Sequence, residues 1–171
     1  DLYKNLPKDV KDLENLIFYG PEGTGKYTQS LASICRYSPT KLNYEKKICV
    51  TFNKQPHYIK ISDIHYEIDM SLLGCNTKML WNEIYNNILD IVLSKPNGIG
   101  IILCKNFQSI SNELLDSFYS YMQTNFTLPI KIIFVLITSQ ISFIPDNILE
   151  RCKIVNIARP SLTQYKKITM P

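Results

Sequence analysis

Arginine is scarce in this chain. Three (Arg36, Arg151 and Arg159) stand beside sixteen lysines in 171 residues, too few to line a pocket for a second anionic substrate. Histidine is scarcer: His57 and His65 lack a catalytic partner at readable spacing, and both are expected to be solvated or satisfied. The five cysteines (Cys35, Cys49, Cys75, Cys104, Cys152) are odd in number and widely spaced, with no C-x-x-C pair. That spacing excludes a zinc site and reads as reduced thiols. No apolar run approaches the ~20 residues of a membrane span. The opening Asp1-Leu2-Tyr3-Lys4 lacks the basic-then-apolar order of a signal peptide. The expectation is an intracellular protein with no membrane partner. A net charge of +4 is compatible with an anionic partner but is too small to indicate nucleic acid by itself.

What is present is concentrated in Leu16-Ile17-Phe18-Tyr19-Gly20-Pro21-Glu22-Gly23-Thr24-Gly25-Lys26-Tyr27-Thr28, an apolar strand, a glycine-rich turn, a lysine and a helix-like segment. The pattern G-x-x-x-x-G-K-[ST] cradles phosphates on backbone N–H groups, reaches the terminal ones with lysine, and holds Mg²⁺ with the last hydroxyl. Gly20, Gly25 and Lys26 fit, with Pro21, Glu22, Gly23 and Thr24 between them, but Tyr27 stands where the hydroxyl belongs. Thr28 follows one place late, roughly 100° further around a helix. Binding ATP or ADP and hydrolysing it are thereby separated: the cradle is intact, and the only hydroxyl left for Mg²⁺ is the displaced Thr28.

The 45% apolar content suits one globular domain with a real core. Residues 1–14 are a polar lead-in. A helix is expected over 26–36, then a β-hairpin from Ile48–Phe52 and Tyr58–Ile61 around Asn53-Lys54-Gln55-Pro56, and a strand over Tyr66–Ile68. Met79, Leu80, Ile84, Ile88, Ile91 and Val92 give the next helix an apolar face, with Asn76 as its N-cap and Pro96-Asn97-Gly98 ending it. Ile99–Leu103 and Ile130–Ile137 read as strands buried on both faces, Ser111–Met122 as a helix capped by Ser111, and Ile154–Ile157 as a short last strand. This alternation predicts a P-loop α/β sandwich with a parallel central sheet and a β-hairpin insertion.

A P-loop ATPase ends a buried strand in an acidic pair, for the Mg²⁺ shell and for polarising water. Here Ile101–Cys104 runs into Lys105-Asn106, and Ile130–Ile137 into Thr138-Ser139-Gln140, neither with a carboxylate. Charged lysine cannot act as a base and asparagine can only orient water, so hydrolysis is not expected. Thr138 and Ser139 face the terminal phosphate in this architecture. Two readings stand open: one of them senses phosphate, or the pair turns the chain. Lys78, opening a helix after Gly74, is either a contact to a phosphate backbone or a solvated lysine. Arg151, on a short helix before the last strand, is by itself a rim salt bridge.

Together these stretches resemble the small subunits of replication factor C, the AAA+ clamp loader that sets a sliding clamp on primed DNA. Phe18–Lys26 is similar to the family's FYGPxGTGK loop. His65–Gly74 resembles H-x-E-[IV]-x-x-S-D-x-G, with Leu72 for the aspartate. Ile144-Pro145 through Glu150-Arg151-Cys152 resembles IP…SRC, with Glu150 for the serine, and Arg159-Pro160-Ser161 resembles the segment leading into the helical lid. The likeness is greatest to the non-hydrolysing small subunit, whose loop hydroxyl is likewise displaced by one place. The resemblance implies an AAA+ RecA-like three-layer sandwich over 15–160 and the start of a truncated lid over 161–171. It implies clamp-loader subunits, a sliding clamp and primed DNA as partners, with nucleus or cytoplasm as the location. It also implies that Arg151 is a finger acting in trans, with Glu150 beside it as a restraint; the family's paired arginines fall at Tyr119 and Ser120. The lysine-rich bias suggests an A·T-rich genome such as that of a large DNA virus, which would put the protein at a viral replication site. Two other functions compete: a pseudo-ATPase scaffold that has lost nucleotide, and a stand-alone P-loop enzyme such as a nucleotide kinase.

Overall fold

The computed structural model describes residues 6–74, 76–123 and 129–161; of the expected lid, all but Ser161 lies outside them. Seven strands and four helices follow in chain order: β1 (Asn15–Tyr19), α1 (Lys26–Cys35), β2 (Glu45–Phe52), β3 (Gln55–Ser62), β4 (His65–Asp69), α2 (Thr77–Leu93), β5 (Ile99–Lys105), α3 (Asn112–Met122), β6 (Lys131–Thr138), α4 (Asp146–Leu149) and β7 (Cys152–Asn156). One sheet takes them in the order β2-β3-β4-β5-β6-β1-β7. The stretch from β4 to β7 is parallel, and β2 and β3 add an antiparallel edge. The continuous apolar runs of β1, β5 and β6 are explained by burial on both faces.

Side chains alternate between two cores. Ile17, Tyr66, Ile68, Ile102 and Cys104 face α2 and α3, where Trp81, Phe118 and Phe134 pack. Leu16, Phe18, Ile101, Leu103 and Val135 face α1 and the lead-in, with Ile34 and Leu13. By the same period of two, Glu67 and Lys105 stand on the α1 face. That parity decides what the site contains.

Several expectations change in detail. The hairpin turn is only Asn53-Lys54, both with left-handed φ (49° and 64°), as a two-residue turn of right-twisted strands requires. Pro56 is already in β3, opposite Thr51; β4 pairs only with Lys60 and Ile61, so no ladder there needs its missing N–H. Asn76 is the N-cap of α2 but makes no side-chain cap bond; instead Thr77 Oγ1 donates to the Gly74 carbonyl. Met79 is exposed and Trp81 takes the buried position, because the larger ring fills the space against Phe118. Ser111 caps α3 as expected, accepting from Leu114 N–H at 3.3 Å. The last strand starts two residues early, at Cys152, in register with Asn15. Cys35, Cys49, Cys104 and Cys152 are free thiols.

Candidate nucleotide-binding site

The loop 20–25 leaves the carboxyl end of β1 and enters α1. Gly20 is required by a close approach: a Cβ there would lie 2.2 Å from the Ile157 carbonyl oxygen, held in place as Ile157 N–H donates to Tyr19 O at 2.7 Å. Gly25 is required by its left-handed φ of 80° as the N-cap of α1. The opening N–H groups of α1 have no acceptor within the helix, which suits them to an anion. Lys26 Nζ donates to the Gly20 and Pro21 carbonyls at 2.7 Å each, and Thr24 Oγ1 donates to Pro21 O at 2.8 Å. Burial lowers the Lys26 pKa against the opposing charge of Glu22. The lysine is thus held over the loop it would serve.

Tyr27 does something its position in the motif does not announce. Its hydroxyl donates to both carboxylate oxygens of Glu67, at 2.8 and 3.0 Å, forty residues away on β4. Glu67 is 4% exposed and collects His65 Nε2 at 3.1 Å, Lys60 Nζ at 3.6 Å and Lys105 Nζ at 3.6 Å. Burial would raise its pKa, but the bonds from His65 and Tyr27 and the Lys60 charge outweigh it, holding the carboxyl at about 2. Lys60 also bonds Glu45 at 2.8 Å, and its pKa is raised chiefly by that bond. Glu45, His65 and Glu67 bring ligand atoms within 4.8 Å of one another, a spacing suited to a metal, but the Lys60 ammonium already supplies the cation there. His65 is therefore a satisfied buried histidine, as expected.

Lys105 ends β5 with its ammonium 5.3 Å from the centre of the Tyr27 ring. In a P-loop ATPase these two positions are a carboxylate and a hydroxyl bracketing Mg²⁺; here they are a cation and an aromatic face. Asn106 follows in a left-handed conformation and donates from Nδ2 to Asp69 Oδ1 at 2.9 Å. Asp69, beside Lys105 in the sheet register, is a carboxylate overlooked when only the apolar strands are inspected. The same oxygen accepts from Ser71 N–H (3.1 Å) and Oγ (2.6 Å). Burial would raise the Asp69 pKa, but these bonds and the Lys105 charge lower it, making it a weak base. The donor set does not fit Mg²⁺: an ammonium stands at the carboxylate position, and the phenol at the hydroxyl position is committed to Glu67. Thr28 is exposed one step around α1.

Of the other candidates, Thr138 is fully buried and turns the chain, donating to Gln140 O at 2.6 Å and accepting from Gln140 N–H at 3.2 Å. Ser139 follows it; its N–H donates to Gln108 Oε1 at 3.4 Å, and Thr138 pairs with Tyr19, which brings Ser139 to the end of the sheet where the loop begins. Lys78 is exposed on the first turn of α2. Arg151 lies at the opposite end of the sheet, next to Cys152, which pairs with Asn15. Its Nη2 donates to Tyr119 Oη at 2.8 Å and its guanidinium lies 4.8 Å from that ring centre. Its partner is therefore Tyr119, and among the described residues neither the expected salt bridge nor Glu150 holds it. A cavity of about 650 Å³ opens at this end, lined in part by Asn15, Tyr85, Lys131 and Arg151.

No protein-family model and no curated protein matches the chain. Among solved structures, that of C. elegans PCH-2 matches with a TM-score of 0.59 and 13% identity, over 98% of this chain and 41% of that one. The chain therefore spans less than half the length of that protein. The likeness is one of fold, a mixed α/β sandwich about a largely parallel seven-stranded sheet.

Proposed function

We propose that the chain is a nucleotide-binding module of the AAA+ kind that holds ATP or ADP on Gly20–Thr28 without hydrolysing it, as a clamp-loader-like subunit acting with a sliding clamp on primed DNA. One observation supports binding without hydrolysis: the glycine loop and Lys26 keep the form of a phosphate cradle, while Tyr27 and Lys105 stand in the Glu67 network where a metal hydroxyl and a carboxylate would be expected; the clamp-loader part rests on the sequence resemblance. The carboxylates beside Tyr27 and Lys105, Glu67 and Asp69, have lowered pKa values and already accept several hydrogen bonds, so neither is suited to accept a proton from water.

Arg151 would serve a neighbour rather than its own loop. It stands at the far end of a five-residue strand, about 15 Å from Gly20 at ~3.3 Å per residue. Lys78, exposed at the start of α2, would contact the DNA backbone. The test of the finger is Arg151→Ala in the assembled complex. A lowered ATPase rate with this chain's own nucleotide affinity unchanged supports it. An unchanged rate with lowered thermal stability of the isolated chain means that Arg151 only packs on Tyr119. The test of non-hydrolysis is phosphate release by the full chain in saturating ATP: none above the Lys26→Ala background is expected. Turnover near the ~1 s⁻¹ low end of ordinary enzymes, abolished by Lys26→Ala, would overturn it.

A further inference from the structure

We infer that this site takes a nucleoside di- or triphosphate free of divalent metal, with the Lys105 ammonium as its built-in cation. The inference rests on the proposed phosphate cradle and specifies the ionic form of its ligand. Three independent features lead to it.

The first is placement. Lys105 ends β5, and the loop follows β1, with β6 between them. At ~4.8 Å per strand the two chain ends are about 10 Å apart, a gap that a lysine side chain largely spans. Lys105 lies on the α1 face, and its ammonium over the Tyr27 ring places it beside the first turn of the helix that the loop opens.

The second is freedom to move. Lys105 Nζ is 3.6 Å from Glu67 Oε2 and its side chain is 32% exposed. Glu67 meanwhile keeps Tyr27, His65 and Lys60, so its charge stays compensated when Lys105 turns to a phosphate.

The third is exclusion. A metal-bound nucleotide would bring a second positive charge to the position Lys105 holds, where the Tyr27 phenol is turned to Glu67 and Asp69 Oδ1 already accepts from Ser71 and Asn106. Repulsion between Lys105 and the metal disfavours that form. Free nucleotide carries more negative charge and gains from Lys26 and Lys105 together.

Calorimetric titration of the full chain with ATP, once in excess EDTA and once in excess Mg²⁺, tests the inference without a mutation. Binding in EDTA at least as tight as in Mg²⁺ is expected. Binding about tenfold or more tighter in Mg²⁺ would overturn the inference and leave the cradle standing. No binding in either condition would overturn the cradle and the inference with it. In Lys105→Met, affinity in EDTA should fall about tenfold to a hundredfold, the range of one charge-assisted contact, and the preference should shift toward Mg²⁺. Unchanged affinity in EDTA would mean that Lys105 only neutralises Glu67, and the inference fails.

Discussion

The two ends of the sheet each pair a tyrosine with a cation, and they do so differently. At the loop end, Lys105 lies over Tyr27, whose hydroxyl is spent on the buried Glu67. At the far end, the exposed Arg151 lies over Tyr119 and donates to its hydroxyl. The first pair is one spoke of a network around the buried Glu67 that includes His65 and Lys60; the second is an exposed pair at the surface. Burial sets how much each is worth, because an ion pair shielded from water is not screened and leaves an uncompensated charge when broken. The loop end is therefore expected to govern stability, and the Arg151 end to be nearly silent in the isolated chain and free for a partner.

Removing the hub is expected to have the largest effect. Glu67→Ala takes the carboxylate from His65 Nε2, Lys105 and the Tyr27 hydroxyl, while Lys60 keeps Glu45, and should cost about 3 kcal/mol, read as a lowered midpoint in urea unfolding. A change within experimental error would mean that water reaches the network.

Acid should act on the same hub. The Glu67 carboxyl is at about 2 in the folded chain against an ordinary 4.5. A depressed folded value means that its contribution is complete above ~4.5 and is lost as pH falls toward ~2. Thermal melts should show about 3 kcal/mol lost across that window, with a flatter slope in Glu67→Gln. Equal slopes would assign the acid sensitivity to other carboxylates, such as Asp69 or Asp63, whose pKa values are also lowered.

Tyr27→Phe keeps the ring under Lys105 and removes one donor from Glu67, for about 1 kcal/mol. The smallest effect is expected for Arg151→Ala, about 0.5 kcal/mol, the low end for an exposed cation–π contact. If Arg151→Ala destabilised the chain more than Tyr27→Phe, the contrast between the two ends would be wrong.

Most of the fold is legible in the sequence because its determinants are local. Apolar runs mark β1, β5 and β6, Gly20 to Lys26 marks the loop, and Ser111 marks the start of α3. The site is half legible. That Tyr27 displaces the metal hydroxyl is read directly from spacing, and the lack of an acid on β5 likewise. What Tyr27 does instead depends on Glu67, which only the parity of β4 and its place two strands from β6 bring to the α1 face. A lone glutamate inside Tyr66-Glu67-Ile68 is the available signal, since a buried carboxylate must find donors. Tyr119 could not be matched to Arg151 for the same reason: the two are 32 residues apart and meet only through packing of α3 against α4. The helical period puts Met79 on the apolar face and passes over Trp81, which is the buried one, because a periodic pattern scores apolar character and not volume.

The central claim is that a working phosphate cradle survives beside a dismantled metal site. Calorimetry with ATP on the wild-type chain and on Lys26→Ala tests it most directly, because Lys26 is the loop's own cation. Saturable binding that falls about tenfold or more in the variant, the value of one charged contact, is the expected result; equal heats for the two proteins would contradict it.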